Sequence, residues 1–330
     1  MIKFSVLDLV PVREGGTLSE AFAASTALAQ KADSLGCERF WVAEHHAMDG
    51  IAGGATSVVL AHIGNATSRI RIGSGGIMLP NHTPFQIAEQ FGTLDALFPG
   101  RIDLGLGRAP GAGPELQRAL RKNLAQASEY FPQEVAELRA LLTGDVELPV
   151  TATPGLGAKV ELWMLGSSLF GAQLAAKLGM PYAFAAHFAP DHLDAALAVY
   201  RRDFEPSAAL DKPYVMVAMN VFAADTDAKA HMLASSQQQS FVALRTGNPG
   251  KLPPPIADYT AALPAPARAM LDHLGQAAAV GTPQSVRSDI DSFVKRTGAD
   301  EIILCGSTFE PEARLRSMEL TIEACAKVAA

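Results

Sequence analysis

The sequence predicts an α/β fold of the (β/α)8 TIM-barrel class, with insertions after strands 4 and 7. Three observations support this prediction. Eight strand-like segments alternate with helical segments along the 330 residues. The strand-like segments are continuous apolar runs, which is typical of strands buried on both faces of a parallel sheet. Several of them end in glycine, serine, histidine or arginine, and the carboxyl ends of barrel strands are where such a fold binds its ligands.

The first half of the chain shows clear helix and strand boundaries. Thr17 and Glu20 form the pattern of a capping box, and Gly36 is placed to end the helix that the box begins. Pro84 opens a later helix, which Pro99-Gly100 stops. The strands predicted here are 4–9, 40–43, 69–73 and 102–106, and the helices are 18–35, 55–67, 84–98 and a long region at about 114–142.

The second half continues the alternation and contains both insertions. Thr282 and Pro283 have the pattern of an N-cap and a first helical residue. Residues 143–160 carry turn signals and predict a small hairpin, while 225–280 predict a polar helix, a proline cluster and another helix, a natural site for a lid or an interface segment. The strands predicted here are 162–165, 182–186, 214–222 and 301–305, and the helices are 168–178, 191–204, a helix from 282 and the tail. Since no linker interrupts the pattern, residues 1–330 are predicted to form a single domain.

The composition excludes several classes of protein. The net charge is −7 with acidic and basic residues interspersed, so we expect no nucleic-acid partner. No run of about 18 apolar residues is present, so we expect no membrane association through a spanning helix. The first residues do not read as a signal peptide, because Asp8 interrupts the apolar run. The three cysteines match no metal or redox motif, which favours free thiols in the reducing cytoplasm.

Glu44-His45-His46 follows the second predicted strand. Histidine has an unperturbed pKa close to neutral pH, so it suits a general base or a hydrogen-bond donor. A structural histidine or a solvated pair is the alternative interpretation. The sequence shows no third ligand at a metal-binding spacing, so we expect no metal.

Three other strand ends carry unusual residues. Gly73-Ser74-Gly75-Gly76 allows a flat ring to press against backbone or a cis non-proline peptide to form, and a flexible turn is the alternative. Arg108 places a guanidinium at the barrel mouth, where it suits a phosphate or, alternatively, a surface ion pair. Ser167-Ser168 begins a helix, where hydroxyls and free amides favour an anion or serve as an ordinary N-cap. Arg108 and the two serines lie on consecutive strands and could bind one phosphate together.

These residues, in this order, resemble the bacterial luciferase-like flavin-dependent monooxygenase family. The resemblance covers nearly the whole chain. It rests on Leu79-Pro80-Asn81-His82-Thr83-Pro84, on Gly281-Thr282-Pro283-Gln284 and on the following stretches: 40–46, 71–80, 100–111, 165–181 and 280–286. It is specific for the family and does not identify a substrate.

The resemblance implies a TIM barrel that binds FMN in its reduced form. It implies that His45 is the catalytic histidine and that Gly75-Gly76 is a cis peptide under the flavin ring. The cofactor-binding residues that it implies are Ser74, Gly75, Gly76, Gly107, Arg108, Ser167 and Ser168. Among these, Arg108 and the two serines are the expected contacts of the FMN phosphate. Gly107 replaces a reactive cysteine of luciferase and Ser167 replaces a glutamate, which argues against light emission.

The resemblance also implies an activity and partners. The expected reaction uses reduced FMN and oxygen, through a flavin peroxide, to oxygenate a small organic substrate. A separate flavin reductase is expected to supply the reduced FMN, and a homodimer is expected to form through helices near the first strands. Two alternatives stay open: hydride transfer with the deazaflavin F420, and a flavin-binding subunit without catalysis. The expected pocket residues are Leu7, Met78, His82, His187, Phe188 and Asn220.

Overall fold

The computed structural model describes residues 2–108, 114–120 and 128–326. Within these residues, eight parallel strands close into a barrel surrounded by helices, which confirms the predicted (β/α)8 class. None of the described helices is long and apolar enough to cross a membrane.

The barrel is built from strands that neighbour one another in chain order, with one exception. The strands are β1 Lys3–Asp8, β2 Arg39–Val42, β3 Arg71–Met78, β4 Ile102–Gly107, β5 Glu161–Gly166, β6 Tyr182–Phe184, β7 Val215–Ala223, β8 Ala278–Gly281 and β9 Glu301–Cys305. β9 pairs with both β7 and β1 and so closes the ring. β8 pairs with the last four residues of β7 and stands outside the ring of eight.

Helices surround the barrel and also form part of the second insertion. They are α1 Leu18–Ser34, α2 Thr56–Ala66, α3 Pro84–Leu97, α4 Pro114–Leu120, α5 Phe131–Thr143, α6 Leu169–Leu178, α7 Leu193–Arg202, α8 Asp227–Arg245, α9 Tyr259–Ala262, α10 Ala265–Leu274, α11 Pro283–Thr297 and α12 Pro311–Ala326. The predicted caps are confirmed, because Thr17 and Glu20 form both hydrogen bonds of a capping box and the Thr282 side chain accepts from the Ser285 amide.

Three predictions about the insertions need correction. Residues 144–160 form turns and no strand, so the predicted hairpin is wrong. The helix predicted at about 114–142 is interrupted, because the chain bends at Tyr130 and α5 begins at Phe131 with Pro132 in its first turn; residues 121–127 lie outside the described part. In 225–280 the helices are confirmed, but β8 is an additional strand that the sequence pattern did not indicate.

The barrel interior contains an apolar layer above a charged one. The apolar layer includes Trp41 and Trp163, whose rings meet edge to face at 5.3 Å. The charged layer lies at the amino ends of the strands. There the buried Asp103 carboxylate accepts hydrogen bonds from Arg39 Nη1 at 3.0 Å, from Arg71 Nε at 2.7 Å and from Trp41 Nε1 at 2.9 Å. The amino end of the barrel is therefore filled by paired charges, and the carboxyl end is left for a ligand.

The approach of β3 to β4 requires glycine. A Cβ atom on Gly76 would lie 2.6 Å from the Gly105 carbonyl oxygen, and a Cβ atom on Gly105 would lie 2.4 Å from the Ser74 carbonyl oxygen. Real side chains do not tolerate such distances to backbone, so these glycines set the separation of the two strands.

Candidate active site

The predicted site residues lie within or directly after four consecutive strands. His45 is in the loop after β2, and Ser74 to Gly76 are inside β3. Arg108 directly follows β4, and the two serines separate β5 from α6. Since β2, β3, β4 and β5 are neighbours in the ring, these residues share one side of the barrel mouth.

The Glu44 carboxylate connects the loop after β2 with the end of β3. It is buried and accepts hydrogen bonds from the Met78 amide at 2.9 Å, from His46 Nε2 at 2.5 Å and from His82 Nε2 at 2.8 Å. Burial alone would raise the pKa of Glu44, but the hydrogen bonds to its charged form lower that pKa to about 2. The same contact with Glu44 raises the pKa of His46.

Glu44, His46 and His82 form a group that was only partly visible in the sequence. Their ligand atoms all lie within 4.8 Å of one another. The sequence suggested no third partner for the pair Glu44 and His46, but His82 supplies one, because the 3-10 turn Leu79–Asn81 brings it back from the end of β3. The hydrogen bonds to Glu44 account for the positions of both rings.

The His45 imidazole has an unused ring nitrogen. Its Nδ1 is buried and has no hydrogen-bond partner among the described residues. Burial lowers the pKa of His45, and the charge of His46 adds to this effect against the opposing charge of Glu44. The ring is therefore neutral at neutral pH, with one nitrogen available to a ligand or a reacting group.

The middle of β3 has the backbone that the resemblance implies. The peptide bond between Gly75 and Gly76 is cis. β3 also changes its register against β4 between Ser74 and Ile77. The Ser74 hydroxyl is buried and donates to the Gly105 carbonyl at 3.0 Å, so this side chain already serves the contact between β3 and β4.

Arg108 and the serine pair meet at the start of α6. The Arg108 side chain is exposed, and its Cζ lies 4.2 Å from the ring centroid of Phe170, the second residue of α6. Ser168 occupies the N-cap position of α6, and its hydroxyl makes no capping hydrogen bond. Gly107, the last residue of β4, pairs with Met78 and leaves space beside it, since a Cβ atom there would meet only the Ile77 carbonyl at 3.6 Å.

A chain of hydrogen bonds crosses the opposite side of the mouth. Asn220 of β7 donates from Nδ2 to the His187 carbonyl at 2.8 Å, and Gln237 of α8 donates from Nε2 to Asn220 Oδ1 at 2.7 Å. The Ser307 amide then donates to Gln237 Oε1 at 2.6 Å. These contacts fix the loop after β6 against β7, α8 and the loop after β9.

The end of α8 covers the loop after β6. The Arg245 guanidinium lies over the rings of Phe188 and Phe241, with Cζ 4.8 and 5.0 Å from their centroids. Gln237 and Arg245 belong to the same helix, so the second insertion contributes directly to the rim of the mouth. The sequence predicted an insertion suited to a lid, but it did not indicate these two residues.

Residues 2–301 match the family model described as luciferase-like monooxygenase. The chain belongs to the luciferase-like monooxygenase family. A luciferase-like monooxygenase of Escherichia coli K12 is 48% identical over 323 residues, which cover 98% of this chain and 96% of the relative. The N-acetyl-S-alkylcysteine monooxygenase of Bacillus subtilis is 35% identical over 256 residues, or 75% of each chain. The crystal structure of apo-MsnO8 has 36% identity and a TM-score of 0.88, with 98% of each chain covered.

More distant solved structures share the fold of this luciferase-like chain. The oxygenating constituent of 3,6-diketocamphane monooxygenase from Pseudomonas putida, in complex with FMN, has 20% identity and a TM-score of 0.73, covering 99% of this chain and 98% of that one. An F420-dependent secondary alcohol dehydrogenase in complex with an F420-acetone adduct has 16% identity and a TM-score of 0.67, covering 98% and 99%. Both types of flavin therefore occur on this barrel.

Proposed function

We propose that this family member is an FMN-dependent monooxygenase, which uses reduced FMN and oxygen to oxygenate a small organic molecule. The observation that carries the proposal is the pairing of the Arg108 guanidinium with the start of α6. A cation beside an uncapped helix N-terminus is a favourable site for a phosphate group.

The residues present fit the phosphate and the ring of FMN. The Ser168 hydroxyl makes no cap contact, and no ion pair within the described residues involves Arg108. Arg108, Ser167 and Ser168 would hold the phosphate. The cis peptide between Gly75 and Gly76 would lie along the flavin ring, while the Cβ positions of both glycines face the protein. Ser74 and Gly107 would border the same surface through their main chains.

The reactive chemistry comes from the cofactor, and the protein supplies binding, orientation and dryness. When bound, reduced FMN supplies the electrons that activate oxygen. We assign to His45 the role of accepting or donating a proton at its unpartnered Nδ1, because the ring is neutral at neutral pH and can act in either direction. Phe188, Phe241 and Arg245 cover one rim of the mouth and reduce the access of water.

A second candidate is hydride transfer with F420. It is supported by the F420-dependent enzymes that share the barrel. The FMN complex of the diketocamphane enzyme and the monooxygenase relatives support the first candidate. The two differ in their need for oxygen.

We further propose three features of the working enzyme. A separate reductase supplies the reduced FMN, and the chain acts in the cytoplasm. A homodimer forms through helices near the first strands, where Val58 of α2 and Leu97 of α3 are exposed apolar residues.

The decisive experiment mixes the protein and reduced FMN with ¹⁸O₂ and a panel of small thioethers and ketones. We expect one ¹⁸O atom in the product, and loss of product formation by at least tenfold in His45→Ala. Turnover of reduced F420 without oxygen would instead identify the second candidate. Binding of FMN with no product from any compound would favour a flavin-binding subunit.

A further inference from the structure

Two ring nitrogens at the barrel mouth are buried without a hydrogen-bond partner in the described part of the chain. They are Nδ1 of His45, after β2, and Nδ1 of His187, after β6; neither has a hydrogen-bond partner among the described residues. β2 and β6 lie four strands apart in the ring of eight, so the two residues approach the mouth from opposite sides. The charge of His45 contributes, after burial, to the lowered pKa of His187.

His187 is held in place by its backbone rather than by its ring. Its carbonyl oxygen accepts from Asn220, which is fixed in turn by Gln237, and Gln237 accepts from the Ser307 amide. Asn220 is itself buried. The loop is thus fixed by three elements, and the imidazole is left without a structural task among the described residues.

The surroundings of His187 favour a neutral ring. Burial, together with the charge of His45, lowers the pKa of His187 to about 4. The neighbouring Phe188 packs against Phe241 and under Arg245, which also donates to the Phe188 carbonyl at 3.4 Å. A neutral imidazole offers one donor and one acceptor, and buried nitrogens of this kind are normally paired. The missing partner is therefore a polar group that the described part of the chain does not supply.

We propose that His187 is a substrate-contacting residue whose ring pairs with a neutral hydrogen-bonding group, an amide or another carbonyl, of the molecule that is oxygenated. The inference rests on the proposed function, since it divides the mouth between cofactor and substrate. The residues proposed to hold FMN lie on β3, at the end of β4 and between β5 and α6, whereas His187 lies in the loop after β6. An amide is also part of the substrate named for the Bacillus subtilis relative, an N-acetyl-S-alkylcysteine. Asn220 and Gln237 act as positioning residues for His187.

The test follows the eight histidines by NMR, in protein labelled with ¹⁵N in the imidazole rings. The His187 signals are assigned with His187→Gln. Oxidised FMN is added first, and N-acetyl-S-methylcysteine is added second as the probe. We expect FMN alone to leave the His187 ring signals unchanged and the probe to shift them. We also expect the Kd of the probe to rise at least tenfold in His187→Ala, less in His187→Gln, while the Kd of FMN stays within twofold.

His231 is exposed on α8, and His231→Gln is expected to change neither Kd. If FMN alone shifts the His187 signals, the ring faces the cofactor and the inference is wrong. If neither addition shifts them in the wild-type protein, the ring has no ligand of this class and the inference is equally wrong. A protein that binds the probe at His187 but does not bind FMN would contradict the proposed function alone.

Discussion

The Arg108 guanidinium stacks on the Phe170 ring, with 4.2 Å between Cζ and the ring centroid. Arg108 follows β4 and Phe170 belongs to the first turn of α6, so the contact joins two neighbouring units of the barrel at their carboxyl end. A contact of this kind with the face of a ring does not use the guanidinium N–H donors, which remain available to a ligand.

Arg108→Ala is expected to weaken FMN binding by roughly tenfold or more, the effect of losing one charge-assisted contact of about 1.5–3 kcal/mol. Arg108→Lys keeps the charge but loses the planar stacking, so a smaller loss is expected. Quenching of FMN fluorescence measures both. Arg118, exposed on α4, provides the control through Arg118→Ala. Equal affinities of wild type and Arg108→Ala would remove Arg108 from the phosphate site.

Glu44→Gln is expected to destabilise the protein by about 1–3 kcal/mol, because the two imidazoles and the Met78 amide lose a charged acceptor. Folding raises the pKa of His46 above 6.5, its value in the unfolded chain. The protonated His46 ring therefore stabilises the fold fully below pH 6.5, and this stabilisation is lost as the pH rises through the folded pKa. Folding lowers the pKa of Glu44 below 4.5, its value in the unfolded chain, so the Glu44 carboxylate stabilises the fold fully above pH 4.5. The difference from wild type should therefore be greatest between these two pH values.

Urea unfolding at several pH values, with NMR titration of His46, checks this expectation. The exposed Glu14 supplies the control Glu14→Gln. A His46 pKa that stays raised in Glu44→Gln would show that the carboxylate is not its cause.

Gly76→Ala is expected to cost about 1–3 kcal/mol by overpacking, because the new Cβ atom would meet the Gly105 carbonyl at 2.6 Å. Gly107→Ala is the matched control, since its Cβ atom would find only an ordinary contact at 3.6 Å. Chemical denaturation compares the two variants. Similar stabilities would mean that β3 and β4 can move apart at no cost.

The pH dependence of stability provides a separate test of His187. Its pKa falls on folding from 6.5 to about 4, so the unfolded chain binds more protons between these values and stability is lost as pH falls through this window. One such group contributes a slope of about 1.4 kcal/mol per pH unit. His187→Gln should flatten the acid side of the stability profile, and His231→Gln should leave it unchanged. A profile of His187→Gln that matches wild type would contradict the burial of this ring.

Asp103→Asn should destabilise the fold by about 1–3 kcal/mol, because Arg39 and Arg71 lose one charged acceptor. Both arginines keep Glu161, and Arg39 also keeps the buried Glu301, so neither is left without a counter-charge. FMN affinity should stay within about twofold, since Asp103 lies at the amino end of the barrel, away from the mouth. Thermal unfolding and FMN titration measure the two effects. A large loss of affinity in folded protein would show that the two ends are coupled.

The barrel could be predicted because its signals are local. Continuous apolar runs mark the strands. A threonine that caps the residue three positions later marks a helix start, as Thr17 does with Glu20 and Thr282 with Ser285. β8 escaped prediction because four residues are too few to show a period. The interruption before α5 had a local signal that was overlooked, since Pro132 favours the first turn of a new helix.

The site could be predicted only where its residues follow strands directly. His45 and Arg108 were identifiable because barrel strands end at one face. The partners of Glu44 were not, since His82 is 38 positions away and reaches Glu44 through a turn. The chain from Asn220 through Gln237 to Ser307 joins three elements distant in sequence, and no spacing rule connects them.

The paired charges around Asp103 have a consequence for how such an enzyme can diversify. They connect the strands at the amino end of the barrel, far from the mouth where a ligand would enter. Substitutions around the rim can then alter which compounds are accepted while the scaffold keeps its shape. A protein built in this way can acquire new chemistry by small steps, each of which leaves it folded.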